Sequence, residues 1–118
     1  METNRSPRMT LPTQAVLRAL LAEPTKPMYG SEMCAAANLP SGTIYPILAR
    51  LEREYGWLES EWEDPDISVT DGRPRRRYYR LSNDGAQAAR LALAESYQAR
   101  QSRRRTFGGK PGSAGATS

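Results

Sequence analysis

A short turn between two helical segments constrains the fold of this chain more than any other feature of its sequence. The first segment, residues 29–37, is followed by Asn38, a residue that readily adopts the left-handed conformation in which helices end. Leu39-Pro40-Ser41 then leads into a longer segment whose apolar residues have helical spacing: Ile44, Ile47, Leu48, Leu51 and Tyr55. Two helices joined so closely are typical of a helix-turn-helix.

A helix precedes this motif, and two strands follow it. Pro12 suits the first turn of the preceding helix, which Pro24 ends. After Gly56, alternating residues predict strands over residues 57–62 and 76–81, joined by a hairpin loop rich in Asp, Pro and Gly. This order places a β wing directly after the helix-turn-helix.

A long helix completes the pattern, because Ser82 is a suitable cap and residues 83–105 contain no breaker. The predicted fold class is mainly α with a two-stranded β wing: a winged helix-turn-helix over residues 10–82, followed by the long helix. The polar residues 1–9 and the Gly/Ser/Ala/Pro-rich residues 106–118 are expected to be a disordered arm and tail. A helical bundle with an incidental hairpin and a ribosomal-type RNA binder are alternatives, but neither explains the short turn before an amphipathic helix.

The charges are separated along the chain. Its 118 residues carry a net charge of +4, with 15 Arg against 2 Lys, and Arg favours bidentate contacts with phosphate or guanine. Residues 52–71 hold eight acids and one base, whereas residues 73–80 hold five arginines and no acid. This separation predicts a basic face for a polyanion; a merely solvated basic surface is the alternative.

The residue types exclude several functions. The chain has no His, a single Cys and no Gly-rich phosphate loop of recognised spacing, so neither an enzyme, a metal site nor a cofactor is expected. Cys34 lies in an apolar helical pattern, which favours a buried thiol. No apolar run approaches the roughly 18 residues of a membrane span, and the N-terminus lacks the apolar stretch of a signal peptide. We therefore expect a cytoplasmic protein without membrane contact.

Four sequence blocks occur in a recognisable order between residues 11 and 95: YGSE from Tyr29, SGTIYPILARLE from Ser41, GWL with Trp62, and GRPRRRYYRLS followed by Gly85. With these blocks, the second above all, the chain resembles the PadR family of bacterial transcription regulators. The resemblance implies a dimeric winged helix that usually represses transcription and dimerises through its C-terminal and N-terminal helices. The breaker at residues 24–27 is long for the family, and only one helix follows the wing, as in short-tailed members.

The third helix is the predicted recognition helix. Since its apolar stripe must face the core, the opposite face and the first turn are expected to contact bases in the major groove. The predicted DNA-binding residues of this helix are Ser41, Gly42, Thr43, Tyr45, Pro46, Ala49 and Arg53. Pro46 implies either a loosened first turn at Gly42 or a helix that begins at Thr43.

The wing supplies a second predicted contact, because its turn-prone tip carries guanidinium groups that can reach phosphates or a narrow minor groove. The predicted wing residues are Arg73, Arg75, Arg76 and Arg77, with the first two as the leading candidates. Arg76 and Arg80 have the alternative of pairing across the hairpin with Glu59, Glu61 or Glu63. Arg103, Arg104 and Arg105 suit the dipole at a helix C-terminus, and DNA contact is their alternative.

Apolar residues on two stripes of the last helix indicate dimerisation, although an Ala-rich helix facing solvent is the alternative. The predicted dimerisation residues are Leu17, Ala89, Leu91, Ala92, Leu93 and Tyr97. A twofold homodimer would bind a palindrome-like operator on double-stranded DNA. We thus expect a bacterial, nucleoid-associated repressor.

Two further hypotheses remain open. The acidic residues 59–71 favour a protein-interaction module that uses the winged fold to bind another regulator. A small-molecule or protein effector is also compatible with the sequence, since Trp57, Trp62 and the tyrosines either line a dimer pocket or pack in the core.

Overall fold

The computed structural model describes residues 6–108, which form five helices and a three-stranded sheet. In chain order the elements are α1 (Leu11–Ala22), β1 (Met28–Tyr29), α2 (Gly30–Ala37), α3 (Ser41–Arg53), β2 (Leu58–Trp62), α4 (Pro65–Asp71), β3 (Arg77–Leu81) and α5 (Asn83–Gly108). The predicted fold class, a mainly α winged helix-turn-helix with a long last helix, is confirmed. Most of the predicted tail and residues 1–5 of the predicted arm lie outside the described residues.

The helix-turn-helix lies where the sequence predicted it, but α3 ends at Arg53, two residues before the predicted end at Tyr55. Asn38 ends α2 in the left-handed conformation, with φ 58° and ψ 49°. α3 then begins at Ser41, where the amides of Thr43 and Ile44 both donate to the Pro40 carbonyl at 3.0 Å. Pro46 therefore lies within the helix and has no N–H for the Gly42 carbonyl, which corresponds to the first of the two predicted arrangements.

The core lies between α1, α2, α3 and the inner face of the sheet. Its largest fully buried apolar side chains are Val16, Leu17, Met33, Ile44, Leu48 and Leu51. The first half of α5 closes the core from the outside, with Ala89 and Ala92 buried. Gly85 permits this close packing, because a β-carbon there would overlap the Trp57 backbone.

The sheet has one strand more than the sequence predicted. Its order is β1-β3-β2, and both pairs are antiparallel. The prediction that residues 29–37 form one helix was wrong at its first residue, because Tyr29 pairs with Tyr78 of β3 before α2 begins. A strand of only two residues is too short to produce a recognisable alternation.

The predicted hairpin loop contains a helix, so the expectation of an irregular loop between β2 and β3 was wrong. Asp64 caps α4 by accepting a hydrogen bond from the Asp66 amide at 2.9 Å, and Pro65 occupies its first position. Gly72 ends it in the left-handed region at φ 67°. The chain thus passes through a capped helical turn before it enters β3.

No helix among residues 6–108 combines the length and apolar character that crossing a membrane requires.

Candidate nucleic-acid interface

α3, the predicted recognition helix, presents its predicted outer face to the surface. Ile44, Ile47, Leu48 and Leu51 are buried, so the apolar stripe is oriented as the sequence indicated. Of the opposite residues, Thr43 and Ala49 are half-buried, and the others are exposed: Ser41, Gly42, Tyr45, Pro46 and Arg53. Small residues and hydroxyl groups therefore form the accessible surface at the start of α3.

Tyr45 lies against the N-terminus of α2. A β-carbon at Gly30 would overlap the Tyr45 ring, so the missing side chain of Gly30 makes room for the tyrosine. The Tyr45 side chain is nevertheless 45% exposed. Gly30 thus allows the Tyr45 ring to pack against the start of α2 while the ring remains accessible at the surface.

A buried carboxylate organises the base of the wing. Arg73 donates to Glu63 with both terminal nitrogens, from Nη1 to Oε1 at 2.6 Å and from Nη2 to Oε2 at 2.7 Å. The Arg76 amide donates to the same carboxylate at 3.3 Å, and Arg73 also contacts Asp71 at 3.1 Å. The hydrogen bonds from Arg73 lower the pKa of Glu63 to about 2, and the same pairing raises the pKa of Arg73. Arg73, a leading candidate for phosphate contact, is thus already paired within the wing.

The guanidinium groups of Arg75 and Arg77 both contact the Trp62 ring. Their guanidinium carbons are 5.4 and 5.3 Å from the ring centroid, respectively. Arg77 also donates to the Ser60 hydroxyl at 2.9 and 3.0 Å, and Ser60 in turn donates to Glu52 of α3 at 2.6 Å. This chain of contacts connects the wing to the recognition helix.

Arg76 and Arg80 occupy the other face of the sheet. Arg76 lies over the Tyr29 ring at 4.4 Å from its centroid, and that ring stacks on Tyr78 at 4.6 Å. The hydrogen bond between the two tyrosine hydroxyls raises the pKa of Tyr78. Arg80 pairs with Glu59 at 3.3 Å, which is the cross-strand pairing considered from the sequence.

The start of α3 and the wing border one open cleft of about 450 Å³. Arg75, Arg76 and Arg77 line it from the wing, and Gly30, Ser31 and Tyr45 line it from the helices. Trp62, Tyr29 and Tyr79 complete its walls. The cleft therefore joins an arginine-rich strand to the exposed end of the recognition helix, which suits an anionic and partly apolar polymer.

The residues predicted for dimerisation separate into two groups. Leu17, Ala89 and Ala92 are buried inside the protomer, because α1 and the first half of α5 pack on each other and on the core. Leu93 is half-buried, whereas Leu91 and Tyr97 are 61% and 57% exposed. Of the predicted residues, Leu91 and Tyr97 therefore place large apolar side chains on the surface of α5.

Three residues that contact the wing arginines were not predicted as wing residues: Glu63, Tyr29 and Trp62. Glu63 was one of several acids, and its burial depends on α4 and Arg73 folding over it. Trp62 was considered only for the core or a dimer pocket, although its position at the end of the predicted strand was a signal for exposure.

Together, the fold and this cleft define a winged-helix protein with an exposed recognition helix and a basic wing. The family model for the transcriptional regulator PadR-like family matches residues 16–91, and the chain belongs to that family. It is accordingly a winged-helix transcription regulator, a class distinct from enzymes. No curated protein matches the chain significantly.

Solved structures agree with this family. The PcaV transcriptional regulator from Streptomyces coelicolor, solved with its natural ligand, is 27% identical over 86% of this chain, with a TM-score of 0.63; the chain covers 65% of PcaV. A PadR family regulator from Clostridium difficile is 25% identical over 81% of this chain and 98% of its own, with a TM-score of 0.59. MepR from Staphylococcus aureus, in a complex with DNA, shares the fold at 15% identity, a TM-score of 0.56 and coverage of 82% and 72%.

Proposed function

We propose that this protein is a homodimeric repressor that binds a palindrome-like operator with α3 in the major groove and the wing on the neighbouring backbone. The observation that carries this proposal is the shared cleft, where three arginines of the wing adjoin the exposed start of α3. Such a surface combines phosphate contacts, which position a protein, with base contacts, which give specificity.

The α3 surface is suited to the floor of the major groove. Gly42 and Ala49 allow close approach, while the hydroxyls of Ser41, Thr43 and Tyr45 can donate to or accept from base edges. The N-terminus of α3 also carries the positive end of the helix dipole, which favours a nearby phosphate. Pro46 and Arg53 extend this surface toward the helix C-terminus.

The wing arginines have different roles in this proposal. Arg75, Arg76 and Arg77 contact the DNA backbone, since they line the cleft and their guanidinium groups pair with no buried carboxylate among the described residues. These groups contact aromatic rings, the Ser60 hydroxyl, the Glu63 backbone carbonyl at 3.2 Å from Arg75 Nε, and the partly exposed Glu52. Arg73 acts mainly by holding the wing on Glu63, because a bidentate pair with a buried carboxylate engages both of its terminal nitrogens.

Dimerisation through α5 is the second part of the proposal. α5 has 26 residues, and beyond Ala92 most of its residues are exposed. A helical arm without tertiary packing is marginal in water, so a second α5 that covers Leu91 and Tyr97 would stabilise it. Two recognition helices related by a twofold axis then read two half-sites.

A small molecule or a protein as effector fits the same scheme, in which it shifts the dimer away from its DNA-binding geometry. The PcaV structure contains that protein's natural ligand, which supports a small-molecule effector here as a proposal. Repression would follow from operator occupancy on the bacterial chromosome.

Binding-site selection with the purified protein tests the proposal. We expect an enriched inverted repeat, and we expect Thr43→Ala to reduce discrimination against altered half-sites by about 1–3 kcal/mol. A selected DNA pool without a shared sequence would contradict sequence-specific binding. If charge reversal of the exposed acids Glu61 and Asp66 abolished regulation while reversal of Arg75 did not, the protein-interaction module would be the better explanation.

A further inference from the structure

Trp62 is an exposed aromatic residue that lines the cleft. Its side chain is 54% exposed, whereas Trp57, the other tryptophan of the chain, is 6% exposed. A large ring left in contact with water forgoes the free energy of burial, which a partner surface would recover. The position of Trp62 therefore needs an explanation other than core packing.

The ring lies between the two parts of the proposed interface. Trp62 is the last residue of β2 and pairs with Arg77 of β3. It lines the cleft together with Tyr45 of the recognition helix and Gly30 at the start of α2. A partner that occupied this cleft would therefore meet the ring together with Tyr45.

The Trp62 ring lies beside two positively charged side chains. The guanidinium groups of Arg75 and Arg77 are 5.4 and 5.3 Å from the ring centroid, so one apolar surface lies next to two cations. A DNA strand has the complementary pattern, because anionic phosphates alternate with the apolar faces of deoxyribose rings. A small anion would contact only the two cations, and an apolar ligand would contact only the ring, so neither would use the whole surface.

We propose that Trp62 is a DNA-contact residue whose indole packs on a deoxyribose of the strand that crosses the cleft, while Arg75 and Arg77 contact the neighbouring phosphates. This inference rests on the proposed function, in which α3 lies in the major groove and the wing contacts the neighbouring backbone of the same duplex. The contact carries no sequence information, since every nucleotide presents the same sugar. It contributes apolar burial without releasing counterions.

Two other roles for Trp62 predict different measurements. If the ring served only to hold the arginines through cation–π contacts, its removal would weaken phosphate contacts and reduce the salt dependence of binding. If it stacked on an unpaired base, its removal would impair single-stranded DNA binding more than duplex binding. A deoxyribose contact in a duplex predicts lower affinity at an unchanged salt slope.

Fluorescence provides the first test. In the free protein, acrylamide should quench Trp62 readily and Trp57 poorly. Titration with a short mixed-sequence duplex at low salt should protect the accessible component and change its emission, and Trp62→Phe should abolish this response. Duplex binding that leaves the accessible component unprotected would overturn the role of Trp62 but not the proposed function. Failure of the wild-type protein to bind any duplex would overturn both.

Substitution provides the second test. We expect Trp62→Ala to weaken binding to the mixed-sequence duplex and to the selected operator by the same factor, about three- to tenfold, with an unchanged salt slope. Trp62→Phe keeps an aromatic ring and should retain most of the affinity. Val69→Ala, at an exposed apolar residue of α4 that does not line the cleft, is the matched control.

Three results would overturn the inference from these variants: a salt slope that falls as in Arg75→Ala, a loss greater for single strands than for the duplex, or equal losses in Trp62→Ala and Val69→Ala. Thermal unfolding of each variant checks the fold, which should survive because the ring is largely outside the core.

Discussion

Arg73 holds the carboxylate of Glu63 with both terminal nitrogens, at 2.6 and 2.7 Å, although the two residues are ten positions apart in the sequence. Between them lies α4, which therefore closes a short loop onto the base of the wing. The charge of Glu63 is removed from water but paired, and the conformation of the arginine-bearing strand depends on this pair.

The pair should make stability dependent on acid pH. Because pairing lowers the pKa of Glu63 from its ordinary value of 4.5 to about 2 in the folded protein, the unfolded chain binds its proton first as the pH falls. The stabilisation is therefore complete above pH 4.5 and is lost as the pH falls toward 2. Denaturant unfolding across this range should show a smaller pH dependence in Glu63→Gln than in the wild-type protein. Parallel curves for the two proteins would contradict the pairing.

Arg75 should contribute to the salt dependence of DNA binding. Removing one phosphate contact lowers the slope of log K against log salt concentration by about 0.9 and weakens specific and nonspecific binding alike. We therefore expect this change for Arg75→Ala in fluorescence anisotropy titrations. Arg80→Ala is the matched control, since Arg80 lies on the same hairpin but pairs with Glu59 outside the cleft. An unchanged slope for Arg75→Ala would remove this residue from the interface.

The sequence predicted those parts of the site that depend on local patterns. The stripe that includes Ile44 and Leu48 fixed which face of α3 is exposed, and the cap at Ser82 fixed where α5 begins. The contact between Glu63 and Arg73 could not be read from periodicity, because it depends on a helix that folds back over the sheet. The strand β1 could not be predicted from the sequence either, because it has only two residues and its pairing with β3 depends on the tertiary structure.

Gly30 should influence DNA discrimination through Tyr45. In Gly30→Ala the new methyl group would overlap the end of the tyrosine ring, which can move because it is partly exposed. Stability should therefore change little, while discrimination between the selected operator and altered half-sites should fall. A double-mutant cycle with Tyr45→Ala measures the coupling, and Gly30→Ala should have little further effect when Tyr45 is absent.

Gly42→Ala is the comparison for this cycle. No atom of another residue lies within 4 Å of a β-carbon at Gly42, so the variant should fold normally. Its methyl group points into the proposed major-groove surface and should weaken operator binding even when Tyr45 is absent. If both glycine variants depended equally on Tyr45, the assignment of Gly42 to the groove surface would be wrong.

Assembly should depend on Leu91 and Tyr97, two large apolar residues that are exposed on α5. Replacing both with Glu places charges where the proposed second subunit packs, while the core contacts of Ala89 and Ala92 remain intact. We expect analytical ultracentrifugation at micromolar concentration to give a dimer for the wild-type protein and a monomer for the double variant. Cleavage after Ser82 is a poorer test, because it would also remove Gly85, Ala89 and Ala92 from the fold.

The monomeric variant should bind the full operator far more weakly, since it loses the high effective concentration of a tethered second recognition helix. Its affinity for a single half-site should remain close to that of one wild-type subunit, because α3 and the wing are unchanged. Val69→Glu adds a similar charge on α4 and should remain dimeric. A wild-type monomer that binds one half-site tightly would contradict both the dimer and the palindromic operator, whereas a dimeric double variant would place the subunit contact elsewhere on the surface.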